Sequence, residues 1–208
     1  MKIRLYKTFL RFNHLRKTST IAEEGPLASS SVRYSLNKNK YLLAPELDRL
    51  KRIISDYELS DARNCFMIGV ALRTGARAQE VLNLTIADLN TYDETVYIRG
   101  LKNSNDREIP LQSDYFKRLY RFAESQVKAY EADIAQDLHG PAAAKPLKKG
   151  EHRLFPITYD RLYQVWAFYR PIPKKFHSLR HTFAIELYQK TKDLRLVQVQ
   201  QELKKLIL

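Results

Sequence analysis

Arg77, Lys102, His177 and Arg180 are the residues of this chain whose types and order could do chemistry together. Two arginines, a lysine and a histidine can grip one phosphodiester and help break it without a metal. In phosphoryl transfer the pentavalent transition state gathers negative charge on its non-bridging oxygens. Guanidinium groups suit that charge, because each offers a planar fork of donors and keeps its proton. Donors fixed in advance around such charge often supply the largest catalytic term. A lysine ammonium could protonate the departing 5′ oxygen. A histidine could take a proton from the nucleophile or donate to the phosphate. A tyrosine would complete the set by storing the bond as a phosphotyrosine.

Each of these residues needs an element to hold it. Leu43, Leu47, Leu50, Ile54 and Tyr57 recur at helical spacing behind Pro45, which suits a first helical turn. Residues 61–72 read as a second, more apolar helix, broken by Thr74 and Gly75 just before Arg77. Residues 78–84 read as a short third helix. Residues 95–98 and 107–109 read as two strands, and the stretch 100–106, rich in Asn, Ser and Asp, as the turn that carries Lys102. A long helix is predicted from Ser113 to about residue 138, with Phe116, Leu119, Tyr120, Ala123, Val127, Tyr130 and Ile134 on one face. Thr158 is placed to cap a further helix carrying Leu162, Val165, Trp166 and Tyr169, which Pro171 and Pro173 end. Residues 179–190 and 193–206 read as the last two helices. The fold class expected is mainly α with a small antiparallel β-sheet (α+β).

The bulk numbers narrow the partners. The chain has 208 residues, with 36 Lys+Arg against 23 Asp+Glu and a formal net charge of +13. Such a surplus favours a polyanion, because each neutralised phosphate releases counterions. Charge alone would also fit a ribosomal or membrane-surface protein. Hydrophobic residues are 44% of the total, enough for a packed core. Cys65 is the single cysteine, so neither a disulfide framework nor a cysteine metal cluster is available, as in a reducing cytoplasm. No apolar run approaches the roughly 20 residues of a membrane-spanning helix. Residues 1–40 are predicted to be a basic arm and linker. There Arg11, Arg16 and Lys17 are candidate DNA contacts, and Leu5, Phe9, Phe12 and Leu15 could line one helical face. Lys145, Lys148 and Lys149, in a basic loop over 140–150, are further candidates.

Taken in order, these motifs resemble the catalytic domain of tyrosine recombinases, the family of phage integrases and Xer-type resolution enzymes. Thr74-Gly-Ala-Arg77 matches the turn that carries the family's first arginine. Glu80 matches the carboxylate that braces that arginine, and residues 81–84 also resemble the family's sequence. Lys102 stands before Pro110 at the family's spacing on a hairpin turn. His177-Ser-Leu-Arg180 matches the His-x-x-Arg motif, and the residues up to Ala184 match the helix that follows. The similarity runs from about Tyr41 to about Gln201. It implies that residues 41–208 form a catalytic domain for DNA recombination and integration, of the kind found on mobile genetic elements. It also implies double-stranded DNA as the partner, metal-free cleavage through a 3′-phosphotyrosyl link, no cofactor, and a cytoplasmic, nucleoid-associated place of work. In the family a tetramer assembles on DNA; a monomer is expected without it.

There are departures. Asp193 to Gln198 begins the family's next motif, but its Leu-Gly-His slot reads Leu203-Lys204-Lys205 and no tyrosine follows before Leu208. The nucleophile is therefore absent from its expected position, and this chain alone is expected to bind without cutting. The residues before Tyr41 are too few for the family's upstream core-binding domain. The competing reading is a non-catalytic DNA-binding remnant that occupies recombination sites. A type IB topoisomerase or telomere-resolving relative would share the chemistry, but the chain's length and the stretch around Arg77 argue against it. His177 and His181 are four apart, yet no third ligand accompanies them, so a metal is not expected. Tyr188 reads as packing or surface, and Trp166 and Tyr169 as core.

Overall fold

The computed structural model describes residues 37–101, 105–137 and 152–201. Helix α1 spans Ala44–Tyr57, α2 Ala62–Thr74 and α3 Ala78–Leu82. A three-stranded antiparallel sheet follows in the order β1 (Leu89–Asn90), β2 (Thr95–Ile98), β3 (Arg107–Pro110). Then come α4 (Ser113–Asp137), α5 (Tyr159–Tyr169), α6 (Ser178–Thr191) and α7 (Leu194–Gln201). The class is mainly α with a small antiparallel sheet, as expected. No helix among the described residues is long and apolar enough to cross a membrane.

Helix α2 is the centre. Every residue from Asn64 to Leu72 is buried, as befits a helix that is apolar nearly all round. Helices α1, α4 and α6 contact it. α1 turns Leu47, Leu50 and Ile54 inward but leaves Tyr57 largely exposed. α4 buries Phe116, Leu119, Ala123 and Val127 as expected, and adds Tyr115 and Phe122, which widen its apolar stripe. Trp166 and Tyr169 are core residues of α5. On α7 the buried residue is Val197, whereas Val199 is exposed.

In the sheet, Val96 pairs with Ile109 and Ile98 with Arg107. Strand alternation therefore puts Arg107 on the same face as Ile109, toward the interior. The short β1 extends the sheet through Leu89–Val96 pairing. Chain after the α4 region returns beside α3: Leu154 donates its N–H to the Leu84 carbonyl at 2.8 Å, and Thr85 bridges Arg153. Leu154 and Phe155, both buried, anchor that return.

Candidate active site

The turn between α2 and α3 is built residue by residue. Thr74 is fully buried; its hydroxyl donates to the Val70 carbonyl at 2.7 Å and accepts the Ala76 N–H at 3.2 Å. Gly75 ends α2 in the left-handed region at φ 61°, where a side chain would be strained. Two residues on, Arg77 is the N-cap of α3.

Glu80 fixes Arg77. Its Oε2 accepts the Arg77 backbone N–H at 2.9 Å, and its Oε1 pairs with the Arg77 guanidinium at 2.5 Å. The same carboxylate meets Arg107 from β3 at 2.6 Å. Glu80 and Arg107 are buried, while the Arg77 side chain keeps 36% of its surface. Burial opposes ionisation of Glu80. The hydrogen bonds from Arg107 and from the Arg77 N–H, with the Arg107 charge, outweigh it and hold the carboxyl below its ordinary range.

Arg180 reaches the same turn from α6. It is buried, and its Nη1 donates to the Gly75 carbonyl at 2.7 Å. His177 caps α6 three residues earlier and is exposed. Partial burial, then the positive charges of His181, Arg180 and Arg77, push its imidazole below the ordinary value of 6.5. The His181 ring crosses that of His177 at 4.8 Å. Burial, Lys40 and Arg180 lower His181 as well. Both histidines are thus poised as neutral bases or acceptors, surrounded by fixed positive charge. Among the described residues, no group of three or more His, Cys, Asp or Glu is gathered as metal ligands would be.

The loop into His177 is braced. Lys174 Nζ donates to the Tyr41 carbonyl at 2.6 Å and pairs with Glu46 at 2.7 Å. Its own carbonyl accepts the Trp166 indole N–H at 2.8 Å. Phe176 is buried edge-on to Trp166, 5.8 Å between rings.

A pocket of about 560 Å³ opens over these groups, lined by Arg77, His177, Gln79, Phe176, Tyr159 and Tyr163 among others. Leu101 also lines it. Lys102 itself lies outside the described residues. The described part of the hairpin is closed by Asp106, which accepts the Gly100 N–H at 2.7 Å and the Tyr97 hydroxyl at 2.5 Å. Arg11, Arg16, Lys17, Lys145, Lys148 and Lys149 also lie outside the described residues.

So the fold brings Arg77, Glu80, His177 and Arg180 into one place from two distant stretches. Sequence reasoning missed Arg107, whose only signal was a basic residue on the apolar face of a strand. It also missed Tyr159 and Tyr163, whose signal was their four-residue spacing on a capped helix.

The chain is similar to several known proteins. The chain is 28% identical over 192 residues to a tyrosine recombinase of Pseudothermotoga lettingae, covering 90% of this chain and 60% of that protein. It is 26% identical over 163 residues to the type 1 fimbriae regulatory protein FimE of Escherichia coli, covering 78% of this chain and 79% of the other. The solved structure of the XerH site-specific recombinase bound to difH substrate, a pre-cleavage complex, superposes with a TM-score of 0.53 at 26% identity. That match covers 80% of this chain and 47% of XerH. The chain spans 60% of the length of the first of these relatives and 64% of a XerC recombinase it also matches. The model of the phage integrase family matches residues 40–202, the same stretch that carries the α2–α3 turn, the hairpin and the His-x-x-Arg helix. By sequence and by fold, this chain belongs to the phage integrase family.

Proposed function

We propose that this chain supplies the catalytic domain of an integrase-type, site-specific DNA recombinase. It binds duplex DNA and holds one phosphodiester at the pocket lined by Arg77 and His177, with Arg180 buried at the adjoining turn. The observation that carries this reading is the shared turn. Arg180 is hydrogen-bonded to the Gly75 carbonyl, and Arg77 leaves the same turn braced by Glu80. Two guanidinium groups and a charge-flanked imidazole are thus gathered around one turn, with Arg77 and His177 at the pocket.

In this reading Arg77 donates to the non-bridging oxygens from its exposed side. Arg180, more deeply set, adds a fixed positive field in a low-dielectric place, where such charge counts most. His177, held neutral before DNA arrives, gains a proton more readily once a phosphodiester anion lies beside it. Lys102, on the hairpin turn, protonates the departing 5′ oxygen. Cleavage then runs without metal through a 3′-phosphotyrosyl link. Among the described tyrosines, Tyr159 and Tyr163 line the pocket. We read both as DNA contacts rather than as the attacking residue. Assembly into a tetramer occurs on DNA, and the protein works at the nucleoid.

The test starts with selection of bound duplexes from a random-sequence pool. A selected duplex should be bound by the wild type and more weakly by Arg77→Ala and Arg180→Ala variants that still fold. If both variants bind that duplex as the wild type does, the pocket is not a DNA grip. A nicked form of the same duplex reads covalent capture separately. An adduct on any tyrosine of this chain would show that it carries its own nucleophile.

A further inference from the structure

Tyr159 and Tyr163 are unusual tenants of the pocket. They stand one turn apart on the same face of α5, with 47% and 37% of their surface exposed. Their hydroxyls lie 3.0 Å apart and their rings 4.9 Å, tilted at 48°. The Tyr163 ring sits 6.3 Å from Phe176, which in turn crosses Trp166 in the core. This aromatic stack ends one residue before His177. The pair is therefore braced against the core yet partly exposed, beside Arg77 and His177.

Packing accounts for the buried part of each ring but not for the exposed edge, where the hydroxyls could as well bond water. Two hydroxyls at hydrogen-bond distance share one proton. The second proton points elsewhere and can serve an outside acceptor. Burial, and then the hydrogen bond to Tyr159, push the Tyr163 phenol up to about 12, so it stays a donor at neutral pH. Asp160 is the one acid in the first turn of α5 and follows Tyr159 directly. Neighbours in sequence on a helix point to different sides, which keeps that carboxylate off the tyrosine face.

We infer that Tyr159 and Tyr163 form an uncharged clamp for the DNA backbone, the pair donating its one free hydroxyl proton to the phosphate next to the one held by Arg77 and His177. Their ring edges lie against the intervening deoxyribose. This inference rests on the DNA reading above. Tyrosine is among the side chains that make phosphate and sugar contacts of this positioning kind. Because the clamp is neutral, it releases no counterions. It adds affinity that salt does not remove, whereas Arg77 adds affinity that salt does remove.

The test measures binding of the selected duplex across a salt series by Tyr159→Phe, Tyr163→Phe, the double variant and Arg77→Ala. The phenylalanine changes keep both rings, so thermal unfolding should stay at the wild-type value. The double variant is expected to bind about threefold to tenfold more weakly, the scale of lost hydrogen bonds. Its slope of log affinity against log salt should equal that of the wild type. Arg77→Ala should shallow that slope by about one. Wild-type affinity in the double variant, with Arg77→Ala still defective, would overturn the clamp and leave the DNA reading standing. So would a covalent adduct on Tyr159 or Tyr163 with the nicked duplex, since that would make the tyrosine a nucleophile. Unchanged binding by Arg77→Ala as well would remove the DNA reading and the clamp together.

Discussion

Glu80 joins stability to function, and Glu80→Gln should separate the two. The carboxylate serves three donors: the Arg77 N–H, the Arg77 guanidinium and Arg107. Their weights differ. The Arg77 side chain is 36% exposed, so that ion pair is worth about 0–1 kcal/mol in stability. The capping bond to the Arg77 N–H is worth about 1 kcal/mol. The Arg107 pair is buried on both sides, and removing one partner of such a pair costs about 3–5 kcal/mol. Glutamine keeps one oxygen, but its amide NH₂ turns a donor toward a guanidinium. A loss of about 3–5 kcal/mol is therefore expected, dominated by Arg107, with a fall in Tm of roughly 6–20 °C for a chain of this size. Urea unfolding read by the fluorescence of Trp166, the single and fully buried tryptophan, measures it. Adding Arg107→Leu removes the stranded charge and should restore most of the stability, since apolar replacement of a buried pair is often neutral. Arg77, still without its brace, should remain weak toward DNA in that double variant. The pH profile gives a second readout. The folded-state pKa of Glu80 is lowered from 4.5, so its stabilisation is present above that value and lost as pH falls through the folded pKa. The advantage of the wild type over Glu80→Gln should shrink in that acid window. A loss below about 1 kcal/mol for Glu80→Gln, with no acid convergence, would refute the role assigned to the carboxylate.

Three further outcomes are expected. Gly69→Ala would raise helix propensity in a free helix, but here its Cβ would lie 2.5 Å from the hydroxyl oxygen of buried Tyr115. It should cost about 1–3 kcal/mol by urea unfolding, and less in a Tyr115→Phe background. Lys174→Met removes the ammonium that ties Glu46 and the Tyr41 carbonyl to the loop before His177, and should cost on the order of 3 kcal/mol in the same assay. His177 and His181 are both depressed from 6.5, so the unfolded chain takes up protons first and stability falls as pH drops below 6.5. DNA should reverse the sign for His177, because a phosphodiester anion raises its pKa. Affinity should then rise as pH falls through the window between the free and bound values, and His177→Ala should flatten that rise in a binding titration.

The helices were legible because their periods are long and their ends marked. Pro45, Gly75 and Thr158 stand where the structure starts or stops α1, α2 and α5. The strand at Leu89–Asn90 was not legible, since two residues carry no alternation. Nor was the return of Leu154 onto Leu84, because pairing across a long separation leaves no local trace. Arg107 shows the same limit more sharply. Within its strand, a basic residue on the face of Ile109 looks like a fault in the pattern. Only when the chain folds does Glu80 arrive to receive it.

The same distinction explains why the order of the basic residues could be read while their division of labour could not. Arg77 and Arg180 are alike in sequence, each a basic residue near a helix start. Their surroundings make them different. Arg180 is buried and bonded to the carbonyl of Gly75, a residue that can sit at φ 61° because it has no side chain. That bond ties α6 to the turn that ends α2. The turn also sets the direction in which Arg77 leaves toward the pocket, and Glu80 then holds it there. A shift of α6 would therefore carry His177 and Arg180 together and pull on the turn that aims Arg77. The arginine that looks most like a ligand-binding residue from its motif is also the structural bolt of the site. The more exposed arginine depends on that bolt to be in place.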